Sequence, residues 1–217
     1  MISDGMLSEF YCIVWSIACF PFLAVGIWQI VKIAKTGVKR VLLLAITGIY
    51  MFFASAQEQY FFAGIPTKPT GIAPTSYIFG ATPVAVIGAL VLLLQNILLG
   101  QGGLTTLGAN IFSLIIGAFA AVGIRQICYR IKLHRSMSVF LVAIFGSLMV
   151  YLTTAVQLAL HEAGSIGMFF SGLWKYIVLF SEKQVSLSVV DGVLCVLMFM
   201  AIHYFSGEQI DKPREVA

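Results

Sequence analysis

Three histidines, four cysteines and nine carboxylates carry most of the chemistry available to this 217-residue chain. Their spacing gathers no set of them. Cys12, Cys19, Cys128 and Cys195 are scattered, with no CxxC pair, and read as small apolar residues inside helices. His134 falls in a basic cluster, His203 near the end of the last apolar run, and His161 beside Glu162 in a loop, where such a pair is usually just solvated. No nucleophile stands near a base, no carboxylates pair at a useful spacing, and no glycine loop is built for phosphate. These patterns exclude an enzyme and an ATPase, so any active transport needs ATP hydrolysis from another chain.

What remains is a set of neutral polar residues within apolar surroundings. The run "GQGGLTTLGANIFS", residues 100–113, is a polar elbow between two apolar stretches. Its glycines permit a tight turn, and Thr105 or Thr106 can cap the following helix. Capping is favoured there over ligand binding. Gln95, Asn96 and Asn110 are the polar groups expected to face a bundle interior, bridging helices rather than holding a solute. Gln57, Glu58 and Gln59 close the second apolar run, where Glu58 is either interfacial or paired with Lys68. Asp191 is expected near the start of the last helix, at the positive dipole end.

The elements that position these residues follow from hydropathy. The chain is 60% hydrophobic and 10% charged, with a mean hydropathy of +0.99. Apolar runs of about 20 residues each suffice to cross a hydrocarbon core of about 30 Å. Six are evident, at about 9–31, 41–62, 77–99, 107–124, 137–160 and 187–206. The expected fold class is an all-α polytopic membrane protein, one integral membrane domain over 1–217 with a short cytoplasmic tail at 206–217. The first run follows Asp4 and Glu9 with no basic leader, and is expected to be a retained helix rather than a signal peptide. The net charge of +4 reflects cytoplasmic loops and gives no indication of nucleic acid.

Orientation comes from two basic clusters, Lys32, Lys35, Lys39 and Arg40, then Arg125, Arg130, Lys132 and Arg135. Both belong on the cytoplasmic side. Three crossings between them would put them on opposite faces, so one more is needed. The segment "GIAPTSYIFGATP", residues 71–83, is punctuated by Pro74, Gly80 and Pro83. It is expected to form a short broken helix sheltered by other helices, with the next long helix at about 81–99. The result is about seven transmembrane helices, one of them short or broken, with the N-terminus out and the C-terminus in. The stretch from Phe169 to Phe180 is expected to be an interfacial helix, with Trp174 and Lys175 at the headgroups. Small residues recur every fourth position at Ala81, Ala85 and Ala89, and at Ala109, Ser113, Gly117 and Ala121. They predict close helix packing, within the chain or against a partner.

The elbow resembles a known signature. "GGLTTLGANIFS" is similar to that of the CbiM/NikM family, the substrate-capture membrane components of cobalt and nickel importers of the energy-coupling-factor (ECF) type. "MISDGMLS" resembles the family's Met-His-Ile-x-Asp-Gly-x-Leu-Ser start, and "KPTG" at 68–71 its Ser-His-Pro-Thr-Gly loop. "IFGATPVAVIGALVLLLQNILLGQGG" is similar to the helix entering the elbow, and "VVDGVL" at 189–194 weakly resembles a late Glu-Gly-Leu-Ile-Thr stretch. The resemblance implies a prokaryotic inner (cytoplasmic) membrane protein of seven helices. Its outer N-terminus would tuck into a substrate pocket lined by Met1, Ile2, Lys68, Gln101, Thr105, Thr106 and Asn110.

The departures from that family bear on function. The resemblance implies metal ligation by the terminal amine, a histidine at the second position and a histidine in the Pro-Thr-Gly loop; another often precedes the elbow's Gly-Gly. Here the N-terminal histidine is deleted, so that Met1 is followed directly by Ile2, and Lys68 and Gln101 stand at the other two places. None replaces an imidazole, which nickel and cobalt favour, and a protonated lysine repels a divalent cation. No metal ligand set and no cofactor is expected, with Ni²⁺ or Co²⁺ bound only at a non-standard site. Two functions follow. One is a divergent capture component working with a transmembrane coupling protein and cytoplasmic ATPases. The other is a repurposed, non-transporting accessory or scaffold subunit of a larger membrane complex. Membrane lipid is a partner in both.

Overall fold

The computed structural model describes residues 2–56, 59–60 and 66–206. In chain order the elements are α1 (Glu9–Lys35), α2 (Val38–Ser55), β1 (Gln59–Tyr60), β2 (Pro66–Thr67), α3 (Ala73–Phe79), α4 (Ala81–Leu99), α5 (Leu107–Arg130), α6 (Arg135–Glu162) and α7 (Ile166–Ser206). The two strands pair antiparallel, Gln59 with Thr67 and Tyr60 with Pro66. Six helical stretches are long and apolar enough to cross a membrane: α1, α2, α4, α5, α6 and Lys183–Ile202 of α7. With the short α3 they make the polytopic helical protein that hydropathy predicts.

Burial ranks the helices. Half of the apolar window is buried in α5 and α6, against 17% in α1 and 22% in α2. α5 and α6 therefore form the centre, and α1 and α2 present broad apolar faces outward, among them Phe10, Ile17, Phe20, Leu42 and Phe53. The central pair touches backbone to backbone. A Cβ at Gly117 would lie 2.3 Å from Val150 Cγ2 and 2.7 Å from the Gly146 carbonyl. Such contact between small residues is how helices associate where lipid supplies no hydrophobic drive.

α3 and the strand-to-helix turn before it thread through the interior. Residues 68–76 are all buried. Gly71, at φ 63°, makes the bend and lies so close to α2 that a Cβ would sit 2.8 Å from Met51 Cα. At the other end the Tyr77 carbonyl accepts a bond from Arg125 of α5, in the second basic cluster. α4 then starts beside the basic end of α1, where the Thr82 hydroxyl lies 2.5 Å from Gln29 Oε1. Residues 68–80 thus run from the elbow end of the bundle to its basic end. This is the sheltered extra crossing that the charge pattern requires.

Two expectations at the C-terminal side fail. No separate interfacial helix exists at 169–180: α7 is one helix of 41 residues. At about 1.5 Å per residue it is some 60 Å long, about twice a hydrocarbon core. The polar run Ser181–Gln184 does not break it, because a helix tolerates such residues and no glycine or proline stands between Gly172 and Gly192. Trp174 and Lys175 remain exposed on this helix, and Lys175 pairs with Glu162 at 3.5 Å. For the same reason Asp191 is not at a helix start. It lies well inside α7 and is fully buried.

Candidate functional site

The elbow begins where α4 ends. Gly100 adopts a left-handed backbone at φ 65°, and the Gly100 and Gln101 amides return to the Asn96 and Gln95 carbonyls. This is the αL stop that glycine allows. Gln101 then donates from Nε2 to the Ala56 carbonyl at 2.9 Å, tying the elbow to the end of α2. Asn96 donates to the Gln101 carbonyl at 3.4 Å, so it serves the elbow rather than bridging long helices.

The N-terminal segment lies on this elbow. Ile2 is fully buried, and its backbone is gripped three times. Its amide donates to Asn110 Oδ1 at 2.8 Å, and its carbonyl accepts from Asn110 Nδ2 and from the Thr106 hydroxyl, both at 2.8 Å. Asn110 thus acts as one rung of a strand, offering acceptor and donor to a single residue. Thr106 does occupy the N-cap of α5, but its hydroxyl makes no cap bond. Asp4 accepts from the Thr105 amide at 3.0 Å and from the Thr105 hydroxyl. That hydroxyl, more than any other contact, holds the exposed Asp4 carboxyl below its ordinary range. The approach requires Gly103, where a Cβ would meet Asp4 Oδ1 at 2.1 Å and the Asp4 amide nitrogen at 2.6 Å. Met1 lies outside the described residues.

Lys68 is the largest of the fully buried side chains, 1% exposed. Its ammonium donates to Gln95 Oε1 at 2.9 Å. The Gln95 amide nitrogen donates onward to the Phe52 carbonyl at 3.0 Å and to Ser55 Oγ at 2.7 Å. The Lys68 backbone is locked by the Tyr151 hydroxyl, which accepts from its amide and donates to its carbonyl, each at 2.7 Å. Two residues on, Asp191 Oδ2 accepts from the Thr70 amide at 3.2 Å, the Thr70 hydroxyl at 3.0 Å and the Gly71 amide at 3.3 Å. The pairing of Lys68 with Glu58 concerns residue 58, which lies outside the described residues.

The structure therefore brings Ile2, Thr105, Thr106 and Asn110 together, and places Lys68 in the interior beside Gln95. In the small-residue stripes, Ala109, Ser113, Gly117 and Ala121 are buried, as are Ala81 and Ala85, while Ala89 is half-buried. Ser113 also donates to Gln157 of α6 at 2.9 Å. Sequence reasoning missed Tyr151 and the role of Asp191. An ionisable residue within an apolar span was the available signal for Asp191; nothing marked Tyr151. His161 stacks edge-on to Tyr11 at 5.5 Å, and Glu162 accepts a bond from Tyr176. Among the described residues no three His, Cys, Asp or Glu side chains cluster as a metal cage.

Membrane-spanning helices around a partly polar interior, closed at one end by the chain's own N-terminal segment, define a polytopic integral membrane protein. The chain belongs to the CbiM family: residues 2–208 match the family described as the cobalt uptake substrate-specific transmembrane region. It is 37% identical over 210 residues to the cobalt transport protein CbiM of Ruminiclostridium cellulolyticum, covering 96% of this chain and 85% of that one. It is 38% identical to that of Acetohalobium arabaticum, covering 95% and 83%. It is 37% identical to CbiM 2 of Pelobacter propionicus, covering 96% and 93%. A crystal structure described as a transition metal transporter superposes with a TM-score of 0.82 at 25% identity, covering 96% of this chain and 95% of that one. The spanning helices and prokaryotic relatives place the chain in the prokaryotic inner membrane. The family is one of transport.

Proposed function

We propose that this chain is a divergent capture-type subunit of the ECF importer family, one that does not hold Co²⁺ or Ni²⁺ through the usual nitrogen cage. One observation carries the reading. At the loop position where the resemblance implies an imidazole, Lys68 is buried with its ammonium on Gln95 Oε1 at 2.9 Å. A divalent ion brought there meets a positive charge at close range and gains no nitrogen ligand in return. At the N-terminus, where the implied histidine is deleted, Ile2 offers a hydrocarbon side chain with no donor atom. The degenerate pocket retains Thr105, Thr106, Asn110 and Gln101 as structural residues that hold the N-terminal segment and the elbow.

The test is calorimetric titration of the purified protein with Ni²⁺ and Co²⁺. No binding at micromolar concentrations is expected; saturable binding there overturns the reading. A pull-down in mild detergent then identifies the assembly. Recovery of a transmembrane coupling protein with cytoplasmic ATPases supports the importer role. A different stable membrane complex recovered in their place supports a non-transporting accessory subunit.

A further inference from the structure

The surroundings of Lys68 form a directional hydrogen-bond chain. Ser55 Oγ donates to the Met51 carbonyl at 2.5 Å, so its oxygen is left to accept from Gln95 at 2.7 Å. Gln95 spends its other amide proton on the Phe52 carbonyl at 3.0 Å. The carboxamide therefore cannot flip without losing both bonds, and Oε1 must face Lys68 as a fixed acceptor. Gln95 and Ser55 are both buried, and the polarity of the chain is set before Lys68 is considered. Only a donor satisfies its open end. The Tyr151 hydroxyl meanwhile fixes the Lys68 backbone from both sides, so the ammonium is delivered by a tethered stem of fixed origin.

We propose that the buried cradle headed by Gln95 Oε1 is a primary-ammonium site which Lys68 occupies in cis, the chain supplying its own cation in place of a diffusible one. This rests on the reading that the pocket takes no transition metal. The site selects for N–H donation together with charge. A neutral oxygen acceptor pointed by two bonds suits an ammonium, whereas nickel and cobalt favour imidazole nitrogen.

The experiment uses the purified full chain in detergent. Lys68→Ala removes the atoms of n-propylammonium from the site. Its melting temperature is expected to rise with the logarithm of added propylammonium, as ligand linkage requires. Tetramethylammonium, which has the charge without an N–H, and Ni²⁺ are expected to leave it unmoved, and the wild type is expected to ignore all three. Absence of the propylammonium response, or an equal response to tetramethylammonium, overturns the proposal. Should Lys68→Ala not fold, a second cycle decides. Gln95→Glu forfeits the amide donors to Phe52 and Ser55 in either background, so it is expected to lower the melting temperature of Lys68→Met by more than that of the wild type, because only in the wild type does the carboxylate meet the ammonium of residue 68. An equal loss in both backgrounds, or a larger one in the wild type, overturns the proposal. Nickel binding by the wild type alongside a propylammonium response in Lys68→Ala would sink the earlier functional reading and leave the ammonium site standing.

Discussion

Gly103→Ala is the sharpest test of the docked N-terminus. Gly103 has no left-handed backbone to defend, so only the approach of Asp4 requires glycine there. Asp4's side chain can swing away from a new Cβ, but its main-chain nitrogen, 2.6 Å distant, moves only if the segment moves. The energetics of docking are close to balance. Burying Ile2 contributes about 2 kcal/mol, and its three backbone hydrogen bonds about 1 kcal/mol each. Ordering the four residues 2–5 costs roughly 1–2 kcal/mol apiece. Asp4 and Thr105 are exposed and add little. A steric intrusion of about 1–3 kcal/mol therefore tips the equilibrium. The assay is hydrogen–deuterium exchange of the N-terminal peptide. Each 1.4 kcal/mol lost is about a tenfold loss of protection, bounded by the modest protection that a docking near balance confers, so Gly103→Ala should raise exchange across residues 2–7 to nearly the rate of an undocked peptide. Gly123→Ala, where a Cβ meets nothing within 4 Å, is the control and should change nothing. Wild-type protection in Gly103→Ala would refute the argument that this segment depends on the approach at Gly103.

Other perturbations probe the remaining supports. Asp191→Ala strands three buried donors, the Thr70 amide and hydroxyl and the Gly71 amide, and should destabilise by about 2–5 kcal/mol; Asp191→Asn, which keeps an oxygen, should lose less, both read by thermal melting in detergent. Gly117→Ala drives a methyl into Val150 and the Gly146 carbonyl and should cost about 1–3 kcal/mol by the same measurement. Docking of the N-terminus should also depend on pH. The docked state lowers the pKa of Asp4, so its contribution is complete above the ordinary aspartate range and fades as pH falls through the lowered value. Protection of the 2–7 amides, corrected for intrinsic exchange, should decline there, and Asp4→Asn should abolish that pH dependence.

Local patterns revealed the helices because each needs only its own residues. Hydropathy located the six spans, and the parity of the two basic clusters required the short helix inside 71–83 and the start of α4 at Ala81. Parity works because charge placement and crossing number are linked whatever the packing. The C-terminal half failed where a local signal misled. Ser181, Glu182, Lys183 and Gln184 resemble a loop, yet without glycine or proline they remain helical, and Gln184 is buried with its amide on Ser147 at 3.2 Å. The site was legible only through resemblance. Ile2 and Asn110 are 108 residues apart, Lys68 and Tyr151 are 83 apart, and no periodicity links them.

The same bonds explain how a scaffold of this kind can survive the loss of its ligands. At the N-terminal segment and the Pro-Thr-Gly loop, two of the places where the resemblance implies an imidazole, the structure holds the main chain. Asn110 and Thr106 grip the amide and carbonyl of Ile2, so any residue at that position docks equally well by its backbone. Tyr151 grips the amide and carbonyl of Lys68, and Asp191 grips the amides of the next turn. A histidine deleted ahead of Ile2, or replaced by Lys68, therefore leaves these main-chain bonds in place, and what changes is the side chain that is buried. For Ile2 that burial is favourable. For Lys68 it is unfavourable unless its charge is hydrogen-bonded, and Gln95, aimed by Phe52 and Ser55, provides the acceptor. One partner that this buried charge requires is thus a residue of α4 that lies outside both segments.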